Sequence, residues 1–387
     1  MKRKYYISRP QYFIIIILFF FSVTCKEKYA LPKTLIDKSY LVVEGYIDGG
    51  NDSTFIRLTR TVSSADTTRI KNESNAAVYI EGEDGQSFYL NEINPGTYAG
   101  GPFSLNQTQQ YRLNISTSNG KSYLSDYVDI KQTPAIDSIS WARTADGVQI
   151  YANTHDPQNS TTYYAWNYHE TWEFYSAFYS NWEYTGSPDP DSVMVRRTNG
   201  DSLYRCWQSN ISTEIIVGSS AKLSEDIIYL YPLILIPEAS WKLQKRYSVL
   251  VKQRALSKGA YEYLENMKKN SEQLGSIFDP QPSTSNGNVH CVDDAKEIVL
   301  GYVYSSTSVQ KRIFIERSQV PDWKYRFSCE EFSIKNDLDS LADAFAGNAY
   351  IPTTEEGSGP MIARYKGATV YCVDCRLRGV HEKPDFW

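Results

Sequence analysis

The stretch TTYYAWNYHETWEFYSAFYSNWEYTG, residues 161–186, decides the fold, because 11 of its 26 residues are aromatic and their spacing changes midway. From residue 164 to residue 174 the even positions are mostly aromatic and the odd positions mostly polar. A period of two predicts one long β-strand with an aromatic face and a polar face toward water. Since few soluble proteins expose so much contiguous apolar area, we expect the aromatic face to be core.

Residues 175–184 of the same stretch carry aromatic side chains without a clean period. We therefore predict that these are the exposed aromatics, and four of them are candidates for ligand binding: Tyr175, Tyr179, Trp182 and Tyr184. Flat tyrosine and tryptophan faces suit stacking on sugar rings. The alternative is that all four cover a second hydrophobic core, as large aromatic side chains commonly do.

The bulk composition is that of a folded protein with more than one core. The chain has 387 residues, 41% hydrophobic and 22% charged, a length for which we expect two domains. Its 31 Tyr and 8 Trp favour β-sheet. No Lys/Arg-rich block follows the N-terminus, and the net charge is −5, which argues against a nucleic-acid partner.

The order of strand and turn patterns predicts a mainly β fold. Between residues 40 and 130 we count about seven short strands with turns such as Asn-Gly between them, the pattern of an immunoglobulin- or transthyretin-like β-sandwich over residues 39–133. Pro134 opens a larger β-rich second domain, residues 134–387. It contains one inserted α-helix at about residues 257–274, with Ser257 as N-cap and Gly275 as C-cap.

The N-terminus has the pattern of an export signal. Four cations, at residues 2, 3, 4 and 9, precede a twelve-residue apolar run, residues 12–23. This run is shorter than the roughly 20 apolar residues that span a bilayer. We predict a signal peptide over residues 1–24 and a polar tether over residues 25–38. The alternative is an N-terminal membrane anchor helix.

Cys25 directly follows the apolar run, where a bacterial lipoprotein carries its lipidated cysteine. The preceding residues match the usual lipobox imperfectly, with Thr24 in place of a smaller residue and Ser22 where Leu is usual. We predict lipidation at Cys25, because several acyl chains anchor a protein stably where one does not. Ordinary cleavage nearby, which would leave a free thiol, is the alternative.

Five further cysteines occur, and disulfides are expected in an exported protein. They are Cys206, Cys291, Cys329, Cys372 and Cys375, so at least one thiol stays free or pairs outside the chain. The spacing CVDC at residues 372–375 lacks the second pair that a zinc site needs. We predict two structural bridges near the C-terminus with Cys206 and Cys329 as partners, and the connectivity stays open.

Recognisable catalytic and metal-binding motifs are absent from the sequence. None of the four histidines, His155, His169, His290 and His381, stands at metal-ligand spacing from another. Carboxylates lie beside His155 and His169, but strand neighbours point to opposite faces. We expect no metal, no cofactor and no enzymatic activity, with a hydrolase using paired carboxylates as the alternative.

Several long segments point to a known family. The segments RYSVLVKQRALSKGAYEYLENMKKNSEQLGSIFDPQPSTSNGNV, EIVLGYVYSSTSVQKRIFI and CVDCRLRGVHEKPDFW, with PAIDSISW and YYAWNYHETWEF, are similar to the Bacteroidota lipoprotein family called domain of unknown function 4249. The resemblance implies a lipid on Cys25, an outer-membrane location and a TonB-dependent outer-membrane receptor as partner. The segment CKEKY resembles the tag that sends such lipoproteins to the cell surface. The family carries no catalytic residues to transfer.

Two functions are therefore weighed from the sequence. The first is a surface lipoprotein that acts as a non-enzymatic accessory of a TonB-dependent nutrient uptake system, capturing a ligand or capping the barrel. The alternative is an adhesin or glycan-binding lipoprotein that works alone through residues 175–184.

Overall fold

The computed structural model describes residues 39–62, 70–272, 287–325, 328–357 and 362–387. The predicted signal peptide, the tether, Cys25 and Gly275 lie outside the described residues. The fold is mainly β, as predicted, with 48% of it in strands and 12% in helices.

Nine strands come first: β1 (Leu41–Asp48), β2 (Thr54–Arg60), β3 (Lys71–Asn72), β4 (Ala77–Gly82), β5 (Ser87–Asn94), β6 (Thr97–Gly100), β7 (Gln110–Ser116), β8 (Ser122–Ser125) and β9 (Val128–Lys131). The next are β10 (Ile136–Arg143), β11 (Gly147–His155), β12 (Tyr163–Tyr175), β13 (Trp182–Tyr184), β14 (Met194–Arg196), β15 (Arg205–Ile211), β16 (Ile216–Ser219), β17 (Ile227–Pro237) and β18 (Arg246–Ala255). The last are β19 (Val289–Cys291), β20 (Val299–Gly301), β21 (Ser305–Ser306), β22 (Ser308–Glu316), β23 (Phe332–Lys335), β24 (Tyr350–Glu356) and β25 (Arg364–Thr369).

The α-helices are α1 (Asp201–Tyr204), α2 (Lys258–Glu272), α3 (Leu338–Phe345) and α4 (Val370–Val373), and 3-10 turns lie at Trp241–Leu243, Arg317–Gln319 and Cys375–Leu377. Helix α2 is the predicted one, and its Ala260 N–H donates to the Ser257 Oγ at 3.2 Å. The expectation of a single helix is corrected by the three short ones. Within the described ranges, no helix is both long and apolar enough to span a bilayer.

The N-terminal strands form a barrel-like sheet. Eight strands pair in a ring, in the order β7, β4, β5, β6, β2, β1, β21 and β9, and β9 pairs back to β7. Alternate residues point inward, so Ile56 and Leu58 of β2 are both fully buried in the barrel core. The predicted sandwich is not confirmed, because the strand pairings close into a ring instead of separating into two sheets.

Part of the predicted second domain contributes to the barrel. Strand β19 pairs with β8, whereas β20 and β21 pair with β1, all after helix α2 in the chain. Val289, Val299 and Val303 are buried in the barrel core. The chain therefore crosses the predicted boundary at residues 133 and 134 and later returns to the N-terminal sheet.

Two further sheets share one core. The first has the order β10, β11, β17, and the second has the order β15, β12, β18, β22, with β16 also paired to β12. The even face of β12 lies in this core, where Tyr164, Trp166, Trp172 and Phe174 are at most 3% exposed. The prediction that this aromatic face is core is confirmed.

The odd face of β12 was predicted to face water, and this prediction is wrong at several positions. Ala165, Thr171 and Glu173 are buried. Ala165 packs in a cluster with residues of helix α2, and Glu173 accepts a hydrogen bond from the Trp387 indole N–H at 3.2 Å. The helix and the C-terminal segment cover this face, and neither contact is encoded in the strand itself.

A small unit near the C-terminus has its own core. It contains the β13–β14 hairpin, the sheet β23, β25, β24, and helix α3. Its buried residues are Trp182, Val193, Met194, Ile334, Leu341, Phe345 and Tyr365. The hairpin lies between the paired strands β12 and β15 in the chain. It supplies part of this core, and the other buried residues come from positions 334–365.

Candidate ligand-binding cleft

A cleft of about 630 Å³ lies where the barrel meets helix α2. Its lining includes residues 42–46 of strand β1, residues 263, 264 and 267 of helix α2, and residues 213–215. Residues 302 and 304, between β20 and β21, and Arg254 of β18 also line it. This volume lies within the usual range for small-molecule sites, which often form at the junction of two structural units.

Aromatic side chains form much of the lining. The rings of Tyr46 and Tyr304 stack with centroids 5.5 Å apart, and those of Tyr263 and Tyr302 lie 5.6 Å apart. Burial raises the pKa of Tyr304, and burial followed by the nearby Glu44 carboxylate raises that of Tyr263. These two phenols are therefore protonated at neutral pH and able to donate hydrogen bonds.

Two glycines beside the cleft stand where a Cβ would clash with a neighbouring residue. Gly45 has φ +136°, and a Cβ there would lie 2.3 Å from the Phe55 carbonyl oxygen. A Cβ on Gly259 would lie 2.4 Å from the Tyr302 hydroxyl oxygen. Because real Cβ atoms do not come this close to backbone oxygen, glycine at position 45 lets β1 pass close to β2 beside the cleft.

Arg254 forms the charged part of the cleft. Its side chain, near the end of β18, is only 8% exposed and lines the cavity. Its guanidinium lies 4.3 Å from the Tyr46 ring centroid, with Nη1 donating to Tyr46 Oη and Nη2 to Asn167 Oδ1, both at 3.3 Å. Among the described residues Nε has no hydrogen-bond partner. The cation therefore contacts neutral oxygens directly.

A second cation close by already has its own carboxylate. Lys252 Nζ donates to Asp52, linking β18 to the barrel. Burial opposes ionisation of Asp52, but the hydrogen bonds from Lys252 and from the Ser53 N–H, with the charges of Lys252 and Arg254, lower its pKa overall. Asp52 is thus ionised and committed to Lys252, which leaves Arg254 as the cation that faces the cleft.

The cleft has the chemistry of a binding site. It offers aromatic and aliphatic surface, phenol donors and one buried guanidinium, a combination that orients a ligand with one polar end. Within the described ranges, no group of three or more His, Cys, Asp or Glu side chains could hold a metal ion. Sequence analysis missed this cleft, because its residues come from five separate segments.

The four candidate aromatics of residues 175–184 are not one open surface. Trp182 is 7% exposed, and its Nε1 donates to Glu355 Oε2 at 2.6 Å. The prediction that Trp182 is exposed is therefore wrong, since β24 and β25 cover it. Tyr175 and Tyr184 are half-buried, and Tyr179 is 39% exposed. Among these four, sugar stacking stays a prediction for Tyr179.

The structure contains both predicted disulfides and resolves their connectivity. Cys206 is bonded to Cys375 and Cys329 to Cys372, and Cys291 is a buried free thiol. The first bond ties the C-terminal segment to β15, and the second closes a loop that contains strands β23 to β25 and helix α3. The CVDC segment is thus divided between two bridges with different partners.

Two histidine–carboxylate pairs occur among the described residues, His155 with Asp137 and His290 with Asp126, and sequence adjacency indicated neither partner. His155 Nδ1 lies 2.8 Å from Asp137 Oδ2 on the neighbouring strand β10. The adjacent Asp156 instead accepts hydrogen bonds from three backbone N–H groups of residues 158–161 and from the Ser160 hydroxyl. Burial alone would raise the pKa of Asp156, but these hydrogen bonds lower it to about 2.

Comparison with known proteins identifies the family. The profile of the family described as Domain of unknown function (DUF4249) matches residues 26–312, which is more than half of the chain. The match covers the barrel, helix α2 and every segment that lines the cleft, and it ends before strands β23 to β25 and helix α3. None of the curated proteins matches the chain. The chain therefore belongs to the DUF4249 family.

Proposed function

We propose that this protein is a lipoprotein of the outer membrane, facing the cell exterior, that captures a small ligand as a non-enzymatic accessory of a TonB-dependent uptake system. The observation that carries ligand capture is the cleft of about 630 Å³ with Arg254 in its lining. It is formed by the folded walls themselves, so a ligand would enter a largely organised site.

The anchor in this proposal is the Cys25 thiol, acylated after removal of residues 1–24. The 13 residues between Cys25 and the first described residue, Ser39, reach at most about 50 Å when extended, at ~3.3–3.6 Å for each of the 14 steps. A tether of that reach lets the barrel and the cleft stay near a receptor in the same membrane.

The charge state of the carboxyl groups supports binding more than hydrolysis. Glycoside hydrolysis needs one carboxyl whose pKa is raised so that it donates a proton. In the part of the chain that the structure describes, the carboxyl groups with clear pKa shifts all shift downward: Asp52, Glu81, Glu92, Asp156, Glu297, Asp337, Glu355 and Glu356.

Affinity purification from outer membranes solubilised in mild detergent tests the partner. We expect a TonB-dependent receptor to be recovered with the wild-type protein. The Cys25→Ala variant should leave the membrane fraction and lose the receptor. Recovery of the wild-type lipoprotein alone would contradict the accessory function and favour the adhesin that works alone.

A further inference from the structure

We propose that the cleft between the barrel and helix α2 binds a small organic anion with an apolar body, with its anionic group at Arg254. This inference names the ligand class for the proposed capture function and rests on it for its biological meaning. The ligand chemistry itself follows from the residues that line the cleft.

The anionic end is assigned by the hydrogen-bonding state of Arg254. A guanidinium carries five N–H donors, and this one is bonded to the neutral oxygens of Tyr46, Tyr304 and Asn167. The Asp52 carboxylate nearby is bonded to Lys252, so a carboxylate or sulfonate of a ligand would give Arg254 a directly bonded anionic partner. Arg254 is 8% exposed and is one of the residues that line the cleft.

The apolar end is assigned by the apolar part of the lining. Tyr263, Leu264 and Met267 of helix α2 line the cleft, and so does Ile215. A ring or branched chain fits there, because Leu264, Met267 and the ring of Tyr263 supply apolar contact area, and the Tyr263 hydroxyl adds one hydrogen-bond donor. Met267 can adjust its rotamer to the shape of the ligand.

Two exposed carboxylates limit the charge of the ligand. Glu44 and Glu214 both line the cleft and are both exposed. Their negative charges repel a second anionic group at the mouth, so the site favours a ligand with a single anionic end over a polyanion. Because these two side chains are solvated, their effect is weak and is reduced by salt.

Three probes with one ring system and different charges test the proposal on the full lipidated chain: 2-naphthoate, 2-naphthylmethanol and 2-naphthylmethylammonium. Isothermal titration calorimetry, with reference titrations into the same detergent without protein, gives each affinity. We expect 2-naphthoate to bind about tenfold or more tightly than the alcohol, the usual size of a charge-assisted hydrogen bond. The ammonium probe should bind most weakly.

Variants at the cleft separate the contribution of Arg254 to ligand affinity from that of the two exposed carboxylates. Arg254→Met should remove the preference for the anion, which lowers the affinity for 2-naphthoate about tenfold or more. The double variant Glu44→Gln, Glu214→Gln should tighten binding of 2-naphthoate about twofold, because it removes repulsion between exposed charges. The control variant is Arg112→Met in the barrel. The Arg112 guanidinium also lies over a tyrosine ring, 4.6 Å from the Tyr127 centroid. This variant should bind 2-naphthoate with the affinity of the wild type.

The outcomes separate this inference from the proposed function. Equal binding of 2-naphthoate by wild type and Arg254→Met, tighter binding of the ammonium probe, or no binding of any probe at millimolar concentration would overturn it. If Arg254→Met does not fold, the Glu44 and Glu214 double variant decides, since unchanged or weaker binding of 2-naphthoate contradicts the proposal. If the wild-type protein is recovered with the receptor but does not bind 2-naphthoate, only the proposed ligand class is rejected. If it binds 2-naphthoate but no receptor is recovered with it, only the accessory function is rejected.

Discussion

Replacing Trp182 by alanine is expected to loosen the small C-terminal unit. The indole is 7% exposed, packs edge-on to Tyr365 at 5.1 Å and has the Arg196 guanidinium 4.5 Å from its centroid. Removing a buried tryptophan side chain typically costs about 3–5 kcal/mol, as lost burial plus the cavity left behind. We expect the free energy of opening this unit to fall by about that amount.

The hydrogen bond of Trp182 can be separated from its packing. Trp182→Phe keeps most of the ring but loses the N–H that donates to Glu355 at 2.6 Å. A hydrogen bond to a charged acceptor contributes about 1.5–3 kcal/mol, so Trp182→Phe should cost less than Trp182→Ala. Tyr179→Ala is the control, because Tyr179 is 39% exposed and should lose about 1 kcal/mol or less.

Native-state hydrogen exchange of the backbone amides in β24 and β25 measures the effect locally. The prediction is that exchange of these amides accelerates in Trp182→Ala, whereas the amides of β1 and β2 in the barrel keep their protection. If Trp182→Ala loses less than about 1 kcal/mol and β25 exchanges as in the wild type, the assignment of this residue to a core is refuted.

Three further changes test other parts of the structure, the first two by urea denaturation. The double variant Cys206→Ala, Cys375→Ala removes a disulfide between residues that are 169 positions apart. The free energy of unfolding should fall by up to about 5 kcal/mol, because the unfolded chain gains loop entropy, and a fall below about 1 kcal/mol would contradict this. Asp156→Asn should cost about 2 kcal/mol at pH 7, because the folded pKa of about 2 lies below the ordinary aspartate value of 3.8. This contribution is present above pH 4 and is lost as the pH falls from 4 to 2, so a pH-independent difference would contradict it. Gly45→Ala should lower the thermal midpoint clearly more than Gly85→Ala, since a Cβ meets backbone oxygen at Gly45 and nothing within 4 Å at Gly85, and equal shifts would count against backbone crowding.

Local sequence patterns predicted the structure best where one face of a strand or helix packs against a single hydrophobic core. The period of two in residues 164–174 predicted a long strand and its buried face, because side-chain alternation is a property of the strand itself. Helix α2 was likewise predicted from its N-cap and apolar stripe, and Ala260 of that stripe is fully buried. These features depend on neighbours within a few residues.

Predictions failed where a distant segment supplies the covering surface. Trp182 follows no period, and its burial depends on strands formed by residues 350–369. The odd face of β12 reads as polar, yet Glu173 is buried because Arg205 and Trp387 both bond its carboxylate. Sequence spacing contains no information about such partners.

The amino-acid sequence by itself determined the mainly β composition, the long strand β12, the helix and the family, because periodicity, capping and family motifs are local or linear properties. Only the tertiary structure decided the closed barrel, the pairing of the four bonded cysteines and the cleft. The cleft joins Tyr46, Arg254, Tyr263 and Tyr304, which lie up to 258 positions apart in the chain. Such a site exists only after long-range strand pairing has placed the barrel against the helix, and no spacing along the chain specifies that contact.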